Sequence, residues 1–219
     1  MRLHVLCLHD VVRGHPSSPW AVTEEEIDGI VEEYRAAGYA LVTLDELSSA
    51  PDRALAVTVD DACAGAASWL LRRAGRLAAT VFVVAGWIDE PDRIPPTERY
   101  SEFCSWEELA ALRDAGHLIG SHTMTHPELP SLPAEDARHE LRESRRRIQE
   151  ALGTPTQHFA APKGQLSAQV LELAKEAGYL TVCGTAGGVN GPREAASGVL
   201  KRFVLRRDRP LLGRPWLRP

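Results

Sequence analysis

The chain has 219 residues, 44% hydrophobic and 25% charged, ordinary globular values that exclude disordered and fibrous classes. Its formal charge of −5, from 25 basic and 30 acidic residues, gives no basis for nucleic-acid binding. No apolar stretch approaches the roughly 20 residues of a membrane-spanning helix.

In chain order, residues 3–8 read as a strand ending in His9-Asp10. With His4 inside the apolar run and no small-residue cleavage site, the first ten residues read as a strand and not as a leader. Thr23-Glu24-Glu25-Glu26 has capping-box spacing and predicts a helix to about Ala37, closed by Gly38. Apolar runs at 39–44, 55–59 and 78–85 are the next strands, the second followed by Asp60-Asp61. Residues 86–103, rich in Pro and charge, form a long loop of the kind that often carries function beside strand ends. Ser105-Trp106-Glu107-Glu108 opens a helix closed by Gly116. Residues 117–120 form a strand followed by Ser121, His122 and His126. A long helix runs from about Ala134 to Leu152, closed by Gly153, and its charged face (Glu140, Arg142, Glu143, Arg146, Arg147) reads as solvated. A strand at 158–161 precedes Pro162-Lys163-Gly164. Ser167 starts a helix that ends at Gly178, and a strand at 179–183 leads into an irregular loop, 184–198, with five glycines. The last strand, 199–205, opens a basic cluster: Lys201, Arg202, Arg206, Arg207, Arg209, Arg214 and Arg218. That cluster reads as a solvated edge and tail, with an anion- or partner-binding patch as the alternative.

Apolar runs alternating with helices predict an α/β fold with a mostly parallel sheet. About eight strands in this length suggest one small barrel domain, residues 1–205, with an Arg/Pro-rich tail at 206–219. Cys7, Cys63, Cys104 and Cys183 are far apart and lack a C-x-x-C pair. Reduced thiols and a cytoplasmic location are therefore expected.

The chemistry-bearing residues all follow predicted strands. In a parallel barrel the C-terminal strand ends share one face, where active sites lie. Two histidines and one carboxylate suit a divalent transition metal and leave coordination positions open. Such an ion acidifies a water and polarises a carbonyl, and a neighbouring carboxylate outside the ligand set can take the proton. Two adjacent aspartates supply both roles. Each feature alone is weak: Asp-Asp commonly caps a helix, and Pro127 places His122 and His126 in a loop. Their conjunction at strand ends is the signal.

Thr58-Val59-Asp60-Asp61-Ala62 resembles the T-F-D-D-G motif of the polysaccharide deacetylase proteins (NodB-homology, carbohydrate esterase family 4). Ser121-His122-Thr123-Met124-Thr125-His126-Pro127 resembles their S-H-[ST]-x-x-H-P motif, and Phe159-Ala160-Ala161-Pro162-Lys163-Gly164 their F-[RA]-x-P-x-G motif. The resemblance implies a distorted (β/α) barrel of about seven or eight mostly parallel strands that hydrolyses N-acetyl groups of amino sugars with a divalent metal. Zinc is the usual ion, with cobalt, nickel or iron as alternatives. It implies Asp60 as base and Asp61, His122 and His126 as metal ligands. Ala62 or Cys63 would offer a backbone N–H to the oxyanion, and Pro162 and Lys163 would meet substrate.

Many members end with a strand followed by His, the general acid. No histidine follows His158 here, but residues 5–10 look like that motif moved to the N-terminus. A closing barrel would bring His9 to the same place, with Asp10 or a neighbour to orient it. Three positions depart from the family pattern: Ala62 stands for Gly, Ala160 for the Arg that pairs with the base, and Lys163 for an aromatic. No Asp-Trp pair occurs late in the chain to orient the acid. A less restrained Asp60, and a Lys163 that meets an anionic substrate group, are therefore expected. The leading expectation is an N-deacetylase of an amino sugar or glycoside. The alternatives are a hydrolase of another small amide on the same metal, or a degenerate glycan-binding barrel. The sequence does not speak to oligomeric state.

Overall fold

Short runs of Val, Leu and Ala, apolar on both faces, are what a parallel strand buried between a barrel interior and a helix layer requires. The computed structural model describes residues 1–208; Arg209, Arg214 and Arg218 of the basic cluster, and with them most of the expected tail, lie outside the described residues. Strands β1 (Arg2–Leu8), β2 (Asp10–Val12) and β3 (Ala21–Thr23) precede α1 (Glu24–Ala36). Then come β4 (Ala40–Leu41), β5 (Arg53–Val59), α2 (Ala64–Leu71), β6 (Thr80–Val83), α3 (Trp106–Asp114) and β7 (Leu118–Ser121). The chain continues through α4 (Ala134–Leu152), β8 (His158–Ala160), α5 (Ala168–Glu176), β9 (Thr181–Cys183), α6 (Pro192–Ser197), β10 (Val199–Leu200) and β11 (Phe203–Val204).

The main sheet has the order β10-β9-β8-β7-β6-β5-β1-β11, with β4 also on β5, and its pairings are parallel. Its two edge strands, β10 and β11, are consecutive and joined only by Lys201-Arg202, so the sheet curls until its ends meet. Asn190 stitches this seam. Its backbone exchanges hydrogen bonds with Leu3 at 2.9 Å each way, and its side chain binds Lys201 N and O at 2.9 Å each. The fold is a distorted (β/α) barrel.

Side-chain alternation divides the core. Leu3 and Val5 of β1 and Ala54 and Ala56 of β5 pack inside the barrel with Phe82, Ala160 and Cys183. Leu6, Leu8, Leu55, Val57 and Val59 face the helices.

The helix signals act as expected. Thr23 and Glu26 cap each other at the start of α1, Ser105 and Glu108 do so at α3, and Gly153 ends α4 at φ 67°. Four expectations need correction. The run 39–44 pairs over only two residues, because Thr43 and Glu46 cap each other and start a 3-10 turn, Leu44–Ser49. The run 199–205 is broken at the seam. The loop 184–198 contains α6, begun at Pro192 and closed by Gly198 at φ 71°. Glu140 is not solvated: it lies buried under the loop that follows β7.

Candidate active site

β1, β5 and β7 deliver His9, Asp60-Asp61 and His122 to one end of the barrel. A cleft of about 690 Å³ opens there, in the range of small-molecule sites, and its lining includes His9, Asp60, Asp61, His122, His126, Lys163 and Arg202. Ala62, Cys63 and Pro162, expected to meet substrate, are buried and do not line it.

The backbone is strained around this cleft. Among the described residues, six non-glycine positions have φ in the left-handed region, and five of them are Asp61 (64°), Ala62 (56°), Thr123 (71°), His126 (64°) and Lys163 (56°). Such conformations persist only where surrounding contacts over-determine them. For the turn carrying His126, the determinant is Glu140 of α4. Its carboxylate accepts from the backbone N–H of Met124 (2.8 Å) and Thr125 (2.9 Å) and from the Thr125 hydroxyl (2.7 Å). Thr123 Oγ1 accepts from His126 N at 3.0 Å. For Lys163, the following Gly164 leaves room for Thr185: a Cβ there would lie 1.8 Å from Thr185 Oγ1.

Asp61, His122 and His126 converge. His122 Nε2 lies 3.5 Å and His126 Nε2 3.7 Å from Asp61 Oδ1, an oxygen that is buried without a hydrogen-bond partner. His122 Nδ1 donates to the Ala160 carbonyl at 2.7 Å, which turns the Nε2 lone pair toward Asp61. Burial lowers the pKa of both imidazoles against the opposing pull of the nearby aspartates, so they are neutral donors at pH 7. Two imidazole lone pairs facing a bare carboxylate oxygen, all within 4.8 Å, form a donor set that suits a divalent transition metal. The other oxygen, Oδ2, accepts from the hydroxyl of Tyr100 in the 86–103 loop.

Asp60 is engaged differently. Arg202 Nη1 donates to Oδ1 at 2.6 Å and Nη2 to Oδ2 at 2.8 Å. Cys7 Sγ, whose own pKa burial pushes up, also donates to Oδ2 at 3.3 Å. Burial would raise the Asp60 pKa, but the Arg202 guanidinium outweighs it and holds it well below the usual carboxylate range. The expectation of a less restrained Asp60 is therefore overturned. The arginine absent at Ala160 of β8 is supplied from the β10–β11 seam. Arg202, read from sequence as part of a solvated basic edge, is 0% exposed and also binds Gly184 O and Thr58 Oγ1 at 3.1 Å each. Nothing in its local sequence marks it.

His9 reaches the same end of the barrel because β1 lies between β5 and β11; its Nε2 is 4.0 Å from Asp61 Oδ2. Asp10 does not orient it. Asp10 Oδ1 accepts from Val11 N (2.9 Å) and Ala66 N (3.2 Å), and Oδ2 from Ser101 Oγ (2.6 Å), so Asp10 ties α2 to the 86–103 loop. His9 instead lies against Trp20, ring centroids 4.4 Å apart. Lys163, at the cleft mouth, pairs with Glu128 at 2.8 Å, which raises its pKa.

Residues 48–182 match the family model described as polysaccharide deacetylase. The chain belongs to the polysaccharide deacetylase family. A chitooligosaccharide deacetylase of Rhizobium leguminosarum bv. trifolii is 31% identical over 153 residues, 68% of this chain; this chain spans 63% of the length of that relative. Among solved structures, the Streptococcus pyogenes deacetylase PplD superposes with a TM-score of 0.77 at 18% identity, covering 94% of this chain and 93% of that one. IcaB from Ammonifex degensii superposes with 0.78 at 24% identity, with the same two coverages. At these identities the structural likenesses speak for the fold. No described helix is long and apolar enough to cross a membrane.

Proposed function

We propose that this polysaccharide deacetylase family member is a metal-dependent hydrolase that removes the acetyl group from the nitrogen of an amino sugar in a glycan or smaller glycoside. The observation that carries the reading is the division of labour between adjacent aspartates. Asp61 turns an unpartnered oxygen to two imidazole lone pairs, while both oxygens of Asp60 are taken by Arg202. The name of the Rhizobium relative supports a chito-type N-acetyl substrate. Four free, buried thiols agree with a cytoplasmic setting.

Asp61, His122 and His126 would hold the ion, most simply zinc, which when bound polarises the amide carbonyl and renders a water acidic at neutral pH. Asp60, kept ionised by Arg202, takes the proton from the attacking water. His9 gives a proton to the nitrogen as the carbon–nitrogen bond breaks, releasing acetate and a free amine. Lys163 reaches an anionic substrate group only by leaving Glu128. A degenerate binding barrel is disfavoured, because Ala62 takes the glycine-like conformation and Arg202 makes good the arginine missing at Ala160.

The test is substitution of the base. Asp60→Asn keeps its metal, and acetate release from N-acetylglucosamine oligomers falls by about 100-fold or more. Loss of metal from that variant would exchange the roles of the two aspartates.

A further inference from the structure

A general acid needs its ring held, and no carboxylate holds His9 by a hydrogen bond: its Nε2 stands 4.0 Å from Asp61 Oδ2, its Nδ1 is buried without a partner, and both oxygens of Asp10 are occupied elsewhere. What touches the ring is aromatic. Trp20 lies against it at 4.4 Å with planes 44° apart, and Tyr100 stands 6.4 Å away at 65°. Trp20 is itself covered: the Arg206 guanidinium sits 3.8 Å from the Trp20 ring centroid and is fixed by a two-pronged pair with Asp208, at 2.9 Å and 2.8 Å. The next residue clamps the two segments together, with Arg207 N donating to Pro19 O at 3.0 Å and Arg207 Nη1 to Pro16 O at 2.7 Å. Asp10 N donates to Trp20 O at 3.3 Å, which ties the tryptophan to the end of β1.

We propose that Trp20 and Arg206 are positioning residues for His9: the segment leaving β11 presses Trp20 onto the imidazole and holds it by an inclined ring-on-ring contact where other designs use a carboxylate. The inference rests on His9 being the proton donor to the departing nitrogen. A ring pressed against an imidazole restrains its plane while leaving both nitrogens uncommitted, and the guanidinium over the indole is attracted to the negative face of that ring. The basic residues that follow the last strand thereby gain a role within the site, in place of a solvated edge.

The test compares two substrates on zinc-loaded protein, an N-acetylglucosamine oligomer and 4-nitrophenyl acetate. An amine cannot depart without a proton, whereas nitrophenolate can, so only the amide depends on a well-placed acid. Trp20→Ala is expected to lower the amide-to-ester ratio of kcat/KM at least about tenfold through kcat on the amide, within the range of a misplaced general acid. Trp20→Phe restores most of the ratio, and Arg206→Gln lowers it several-fold. His9→Ala sets the floor. Should Trp20→Ala be insoluble, Trp20→Leu and Arg206→Gln carry the comparison. An unchanged ratio in the Trp20 and Arg206 variants, or equal losses on both substrates with lost zinc, overturns the proposal while leaving His9 as the acid. A wild-type ratio in His9→Ala overturns the acid role and the proposal with it. No hydrolysis of either substrate by the zinc-loaded wild type overturns the functional reading.

Discussion

Arg202 grips Asp60 with two parallel hydrogen bonds across the seam where the barrel closes. The pair is buried, so its partners matter more than its Coulomb energy: removing one leaves an uncompensated charge, a loss of about 3–5 kcal/mol. Arg202→Met is therefore expected to lower unfolding stability by that amount in urea titrations, and Asp60→Asn combined with Arg202→Met to regain much of it. An Arg202→Met protein as stable as wild type would contradict the pairing.

Glu140 is the anchor of the turn that carries His126, and its three accepted hydrogen bonds stand in for the turn's own missing backbone partners. A glutamine accepts with one oxygen where the carboxylate uses two. Glu140→Gln should fold but bind zinc roughly tenfold more weakly, in the range seen when groups behind metal ligands are altered. Competition with a chromophoric chelator measures this; unchanged affinity would remove Glu140 from the account.

The barrel was legible from the alternation of apolar runs and capped helices, and the convergence of His9, Asp60, Asp61, His122 and His126 from their places after strands. Arg202 was not, because its role depends on two edge strands meeting at a two-residue link, a long-range relation with no local signature. Glu140 was hidden by its neighbours: Glu143 and Arg146 do pair on the surface of α4, and the same helix turns Glu140 inward. Asp10 was misread because the first strand ends at Leu8 and Asp10 opens a separate one, β2, where its carboxylate is taken by Val11, Ala66 and Ser101.

Ala62 sits at φ 56°, where a Cβ is strained. Left-handed backbone costs a non-glycine residue about 1–2 kcal/mol, while glycine loses about 0.4–1 kcal/mol through the unfolded chain. Ala62→Gly is thus expected to be neutral or up to about 1.6 kcal/mol stabilising in thermal or urea unfolding. A clear destabilisation would mean that the Ala62 methyl packs usefully enough to offset its strain.

Stability should also fall in mild acid. His4, enclosed by Tyr34, Tyr39 and Phe203, has its pKa lowered from 6.5 to about 4 by burial and, secondarily, by Arg2. Its stabilising contribution is complete above pH 6.5 and is lost as pH falls toward 4, with about 2 kcal/mol gone between pH 7 and pH 5. Urea midpoints at the two pH values should show the loss, and His4→Gln, which does not titrate, should show less of it. Equal pH dependence in the two proteins would contradict this assignment.

Acetate release should depend on a metal held on Asp61, His122 and His126. The decisive measurement is acetate release from N-acetylglucosamine oligomers together with zinc content, in wild type and in His122→Ala, before and after chelation. About one zinc per wild-type chain is expected, with activity that disappears on chelation and returns with zinc, and neither zinc nor activity in His122→Ala. Acetate release that survives complete chelation, or a fully zinc-loaded and active His122→Ala protein, would contradict it.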